Sequence, residues 1–183
     1  MELRGRPTVL VSNRGPVSFD LVDGRPRARR GAGGVVSGLG PLVAGTDTTW
    51  IAAAMGEGDR EAARRGVIDA EGFAIRLVTV DAETYRLAYD ELANTVLWFV
   101  HHGLFDLPSE PRFGPELDVA WAAYLDLNQA FAEAVVDAAP PEAVVLVQDY
   151  HLTQVAALAR PRRPDLAFVH FSRTPFAGPD LCR

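Results

Sequence analysis

Three residues of this sequence, an acid, an imidazole and a guanidinium, stand where apolar stretches give way to polar ones. Asp149 follows the run 144–147 within Val147-Gln148-Asp149-Tyr150-His151-Leu152. His170, twenty-one residues later, follows the run 166–169 within Phe168-Val169-His170-Phe171-Ser172-Arg173-Thr174-Pro175-Phe176. Arg14 follows 8–11, where Thr8-Val9-Leu10-Val11 passes into Ser12-Asn13-Arg14-Gly15-Pro16. All three read as the carboxyl ends of buried strands, and in an open parallel sheet ligands gather in the crevice outside those ends. A guanidinium there grips phosphate with a bidentate fork. A carboxylate accepts hydrogen bonds from sugar hydroxyls, and an imidazole bonds a hydroxyl or steadies developing charge. The set points to a polar, phosphorylated small molecule. Asp149 has a second reading that stays open, a side-chain cap on the helix that follows. His151, at the start of that helix, reads as a packed side chain.

The elements that must position these residues are legible in outline. After the first strand comes a polar loop over 15–30 that holds Arg25-Pro26-Arg27-Ala28-Arg29-Arg30, either solvated or touching ligand. Gly31-Ala32-Gly33-Gly34 then opens a helix over 35–43, and glycines at such a turn let backbone N–H groups approach an anion. The glycine spacing is not that of a dinucleotide fingerprint. Strands are expected over 50–54 and 73–80, the second at a sheet edge because it partly alternates. Tyr85, Tyr89, Leu92 and Val96 mark a helix over 82–97. On a continuous α-helix Tyr89 and Trp98 lie roughly 180° apart, so a shared ligand requires the helix to end or bend between them, with Asn94 the expected place. Pro115 suits the first position of a long helix whose stripe Leu117, Trp121, Tyr124, Leu125, Asn128, Phe131 and Val135 reads as core and ends at Pro140-Pro141. A βαβ unit over 144–147, 152–159 and 166–171 completes the chain. The fold class is α/β, a Rossmann-like open parallel sheet with helices on both faces. His101-His102 before Gly103 reads as a helix C-terminus, since adjacent residues point apart and no third metal ligand is evident.

The 183 residues fit one domain, and no apolar run approaches the roughly 20 residues of a membrane span. With the polar N-terminal residues and a single cysteine, Cys182, the expected setting is the reducing cytoplasm. All 18 basic residues are arginine, which excludes a P-loop lysine. Residues 1–34 carry seven arginines against Glu2, Asp20 and Asp23, whereas the whole chain is −6, so an acidic body argues against general nucleic-acid binding. No Gly-x-Ser-x-Gly elbow supports a hydrolase.

Taken in order, Val11-Ser12-Asn13-Arg14, Gly33-Gly34-Val35, Asn94-Thr95-Val96-Leu97-Trp98, Asp149-Tyr150-His151-Leu152 and His170 through Phe176 resemble the N-terminal half of trehalose-6-phosphate synthases. The resemblance implies a retaining glycosyltransferase of the two-domain GT-B kind, moving glucose from UDP- or GDP-glucose to glucose 6-phosphate in trehalose biosynthesis, with no metal or other cofactor. It implies that Arg14 holds the acceptor phosphate and that Tyr89, Trp98 and Asp149 line the acceptor site. Gly33, Gly34 and His170 would face the donor, with His170 and Asp149 nearest the chemistry. Residues 1–183 would form the acceptor-binding domain. The nucleotide-sugar domain lies outside this sequence, so the chain alone is expected to be inactive. Its expected partners are the two substrates, a separate donor-domain chain and further copies of itself, with neither nucleic acid nor membrane.

Departures from the family pattern bear on the acceptor. Trp50-Ile51-Ala52-Ala53 stands where an aromatic-rich Trp-Phe-Gly-Trp stretch is usual, Phe99 replaces a proline, and Ser172-Arg173-Thr174 interrupts the usual His-Ile-Pro-Phe-Pro run. Two alternatives therefore stand beside the synthase: a non-catalytic sugar-phosphate-binding fragment, and half of a pseudo-glycosyltransferase acting on a cyclitol phosphate.

Overall fold

A computed structural model describes residues 5–31, 33–104, 113–175 and 178. Its centre is a six-stranded sheet in the order β5-β6-β4-β1-β7-β8. The strands are β1 (Thr8–Ser12), β4 (Thr49–Ala53), β5 (Val67–Ala70), β6 (Phe73–Val78), β7 (Val144–Gln148) and β8 (Ala167–Phe171), all parallel except the edge strand β5. β1 to β4 to β6 builds outward on one side, and the chain then returns to lay β7 and β8 on the other. The reversal of direction therefore falls between β1 and β7, the place where such sheets open a crevice.

Alternation along the strands fills both faces, which is why their sequences read as continuous apolar runs. Val9, Val11, Ile51, Val145 and Val147 join one core with the long helix α5 (Pro115–Ala138), the 82–102 helix and α6 (Val155–Ala159). Leu10, Trp50, Ala52, Phe73 and Ile75 join the other, beneath α1 (Gly34–Val43) and α2 (Glu57–Ala63). No helix among the described residues is long and apolar enough to cross a membrane.

Several expectations are corrected. The segment 15–30 is not a loop but a two-stranded hairpin, β2 (Val17–Val22) and β3 (Arg25–Arg30). Asp23 and Gly24 both take positive φ, 50° and 72°, which matches the twist of a two-residue hairpin turn. Asp59, buried on α2, pins the hairpin by accepting Phe19 N–H at 2.6 Å while also accepting Met55 N–H at 3.0 Å and Gly56 N–H at 2.9 Å. β6 is an inner strand, because the unforeseen β5 covers it. Trp121 is 42% exposed rather than core, although Tyr124, Asn128, Phe131 and Val135 of the same stripe are buried. Phe176 and Cys182 lie outside the described residues.

The 82–102 helix does not end at Asn94. It begins as α3 (Ala82–Arg86), widens into a π-helical stretch over Leu87–Leu97 and resumes as α4 (Trp98–His102), with Trp98 N–H bonding Ala93 O. Nine residues make two and a half α-turns but only about two of the wider i→i+5 turns, so the stretch carries Trp98 back toward the side of Tyr89 without a break. Gly103, left-handed at φ 62°, ends α4 just after His101 and His102.

Candidate functional site

A cavity of about 140 Å³ opens at the β1/β7 reversal. β1 contributes Ser12, Asn13 and Arg14; the α1 N-terminus contributes Gly33, Gly34, Val35 and Val36; Tyr89 closes one side; Asp149, His151 and Arg173 close the other. The end of β1 is held from below. Trp50, buried in the second core, donates its indole N–H to Ser12 Oγ at 2.7 Å, and Ser12 donates to Arg14 O at 2.7 Å. Arg14 itself is exposed at the rim, and none of the ion pairs among the described residues involves it.

Buried polar residues of α5 hold the end of β7. Tyr124 donates its hydroxyl to Tyr150 O at 2.7 Å. Asn128 donates to His151 O at 3.1 Å and accepts Gln154 N–H at 3.0 Å. These bonds fix a 3-10 turn, Tyr150–Leu152, in place of the expected start of a helix at 152. Asp149 does not cap that turn, which corrects the capping reading. Its φ of 63° is unusual for an aspartate and aims the carboxylate across the cavity mouth. There it accepts Arg173 N–H at 3.1 Å and Nε–H at 3.1 Å, with Nη2 closing the pair. Burial pushes this carboxyl up, but the bonds and charge of Arg173 outweigh it and hold it below its ordinary value.

An aromatic wall runs along the cavity. Tyr85 stacks on Tyr89 at 5.4 Å, Tyr89 on His151 at 5.0 Å, and His151 on Tyr150 at 4.1 Å between centroids. Asn13 donates to Tyr85 Oη at 2.8 Å, and Tyr150 donates to Asn94 Oδ1 at 2.8 Å. Burial pushes the His151 imidazole down to about 4, so at neutral pH its ring carries one N–H and one bare nitrogen.

Among the described residues, the buried side-chain polar atoms without a partner are Asn13 Oδ1, His151 Nδ1 and His151 Nε2. All three belong to residues lining this one cavity. Each orphan costs about 1–3 kcal/mol, a cost that a bound partner removes. Asn13 Oδ1 needs a donor, and the neutral ring needs a donor at one nitrogen and an acceptor at the other, which two separate hydroxyls supply. Arg14 beside them needs an anion. Together they suit a polyhydroxy compound carrying a phosphate.

The structure thus brings together Arg14, Gly33, Gly34, Tyr89 and Asp149 of the sequence-derived set. Trp98 and His170 do not line the cavity. Trp98, half-buried, stacks on His102 at 4.2 Å. His170, opposite Val147 in register, is exposed on the outer strand β8, where partial desolvation lowers its pKa and the Asp149 charge opposes the shift. Asn13, His151 and Arg173 were not foreseen. Asn13 and His151 adjoin Arg14 and Asp149 in the motifs, so position alone was the available signal. A larger groove of about 510 Å³ lies between α2, β6 and α5. Arg76 there is paired with Asp137 at 3.2 Å, and no orphaned buried side-chain atom among the described residues belongs to its lining. No cluster of metal-ligating side chains occurs among the described residues.

Comparison with known proteins gives one consistent answer. The model for glycosyltransferase family 20 matches residues 6–183. A trehalose-6-phosphate synthase of Mycolicibacterium smegmatis is 34% identical over 175 residues, which cover 94% of this chain and 33% of that protein. One from Mycobacterium tuberculosis is 34% identical over 181 residues, 94% of this chain and 34% of the relative. The chain therefore spans about a third of the length of the curated relatives it matches. An alpha,alpha-trehalose-phosphate synthase (UDP-forming) from Burkholderia vietnamiensis superposes with a TM-score of 0.71 at 21% identity, covering 96% of this chain and 34% of that one. The N-terminal domain of a Candida albicans trehalose-6-phosphate phosphatase does so at 0.68 and 21% identity, covering 99% and 36%. These two likenesses show the fold, that of GT-B trehalose-phosphate synthases.

Proposed function

This chain belongs to glycosyltransferase family 20, and from that premise we propose that its cavity is the acceptor site of a trehalose-6-phosphate synthase, which transfers glucose from UDP- or GDP-glucose to glucose 6-phosphate. The observation that carries the proposal is the concentration of every orphaned buried side-chain atom described in two residues beside an unpaired arginine. Arg14 grips the phosphate, while Asn13, His151 and Asp149 meet the hydroxyls. Tyr89 flanks the sugar, and Trp98, which lies outside the cavity lining, is the second aromatic that the family resemblance gives to the acceptor. Gly33 and Gly34 at the α1 N-terminus and His170 at the end of β8 face the donor. The donor phosphate receives the proton of the acceptor hydroxyl as the nucleoside diphosphate leaves, a step that needs both substrates held face to face. Residues 1–183 constitute the acceptor domain. By themselves they bind acceptor without turning it over, since the residues that grip the diphosphate and the nucleotide in the family reaction are not among them; those residues belong to a donor domain, whether on the same or a separate polypeptide. The same proposal sets the reaction in the cytoplasm, where sugar phosphates and nucleotide sugars are made.

The second reading, a sugar-phosphate-binding module without transferase activity, is favoured by one observation: the same fold serves as the N-terminal domain of a phosphatase. Calorimetric titration of the 183-residue chain with glucose 6-phosphate tests what both readings share. Saturable binding that fails with free glucose and weakens in Arg14→Ala is the expected result; binding indifferent to Arg14 would refute the assigned site. Glucose transfer from UDP- or GDP-glucose, assayed in a protein that includes the donor half, then separates the two.

A further inference from the structure

Among the described residues Asp149 is the one carboxylate lining the cavity, and it is already occupied. Both of its oxygens are engaged by Arg173, through the backbone N–H, Nε–H and Nη2. The carboxylate is 13% exposed and the arginine side chain 40%, so the pair sits at the mouth with the arginine outward. The guanidinium also reaches across to α1: a Cβ added to Gly34 would lie 3.0 Å from Arg173 Nη1. Arg173 therefore spans the opening from the end of β7 to the α1 N-terminus, and Gly34 leaves the room for it. The space that remains, about 140 Å³, is under half of the roughly 300 Å³ at the lower end of small-molecule pockets.

We propose that Arg173 is a specificity-determining bar across this cavity. A hexose phosphate enters only by taking Asp149 away from Arg173, whereas a bare anion reaches Arg14 without disturbing the pair. This rests on the acceptor-site reading and goes beyond it, because it names the residue that decides how much of an acceptor the site admits. Binding that must first break an internal pair is weakened by the fraction of molecules in which the pair is open. A ligand that brings enough hydroxyls to replace the arginine at Asp149 overcomes that loss. A ligand with too few does not.

The test compares wild type with Arg173→Ala and Arg173→Ser, both of which remove the guanidinium from Asp149. Glucose 6-phosphate and inorganic phosphate are titrated into each, and circular dichroism establishes that the variants are folded. Glucose 6-phosphate is expected to bind both variants at least about tenfold more tightly than wild type, with inorganic phosphate unchanged. Unchanged or weaker glucose 6-phosphate binding in Arg173→Ala overturns the bar, and a parallel loss of phosphate binding would make Arg173 a ligand contact instead. Exchange of the Arg173 Nε–H with solvent, followed by NMR without ligand, decides the bar separately from the acceptor reading. Slow exchange that becomes fast in Asp149→Asn supports it, and fast exchange in wild type overturns it. If glucose 6-phosphate binds none of the three proteins while the Nε–H is protected, the acceptor reading fails, and the specificity role falls with it although the closed Asp149–Arg173 pair stands.

Discussion

Arginines crowd one region of this molecule and stand nearly alone in another, and only the second has the makings of an anion site. The hairpin carries Arg25, Arg27, Arg29 and Arg30, all exposed, with Arg29 paired to Asp20 at 3.0 Å. No buried side-chain polar atom near it lacks a partner among the described residues, and Asp59 collects Phe19 N–H. The cavity has the single unpaired Arg14, but with Asn13 and His151 unsatisfied behind it. Local charge density raises an electrostatic potential, whereas a specific site needs groups already desolvated and still unbonded.

The comparison can be broken at either end. The largest effect is expected on the hairpin side, from Asp59→Ala, which orphans three N–H groups and should cost roughly 3 kcal/mol of unfolding free energy, read from urea midpoints. Glucose 6-phosphate affinity should survive in whatever fraction stays folded. Next comes Arg14→Ala, expected to weaken glucose 6-phosphate binding about 30-fold, the equivalent of about 2 kcal/mol for a charge-assisted bond.

The pH dependence of stability sharpens the contrast further. His151 titrates at about 4 in the folded chain against an ordinary value of 6.5, so between those values the unfolded chain binds more protons and stability falls as pH drops. That slope should reach at most about 1.4 kcal/mol per pH unit and be missing in His151→Gln, as seen in melts between pH 7 and 4. The smallest effect belongs to Arg25→Ala, Arg27→Ala and Arg30→Ala, each expected to change glucose 6-phosphate affinity less than about twofold at 0.15 M salt, where exposed charges are screened.

What the sequence yields follows the same division. Strands β1, β4, β7 and β8 and the helix from Pro115 were legible because burial on both sheet faces writes long apolar runs and proline marks a helix start. The hairpin was not, although Asp23-Gly24 is a turn signal, because arginines on exposed strands look like a loop. α2 and β5, short and at the periphery, left little periodicity to read. In the site, Arg14, Gly33, Gly34 and Asp149 were found because strand ends and glycine turns are local features, whereas Tyr89, within a helix, came only through the family resemblance. Arg173 was missed because its significance lies in a contact with Asp149 across 24 residues, and His151 because a histidine at a helix start is more often simply packed. The bend expected at Asn94 is absent: the helix widens instead, Asn94 accepts the Tyr150 hydroxyl, and Trp98 stays outside the cavity that Tyr89 lines.

The wide stretch between Leu87 and Leu97 makes the helix behave like a gear with an extra tooth. Removing one residue there would let ordinary α-turns close, and the downstream end, Trp98 and the two histidines included, would index around the axis by about 80° relative to Tyr89. The angular setting of that whole end is thus stored as a count of residues, not as a contact, and length changes in this segment would retune it where point substitutions would not.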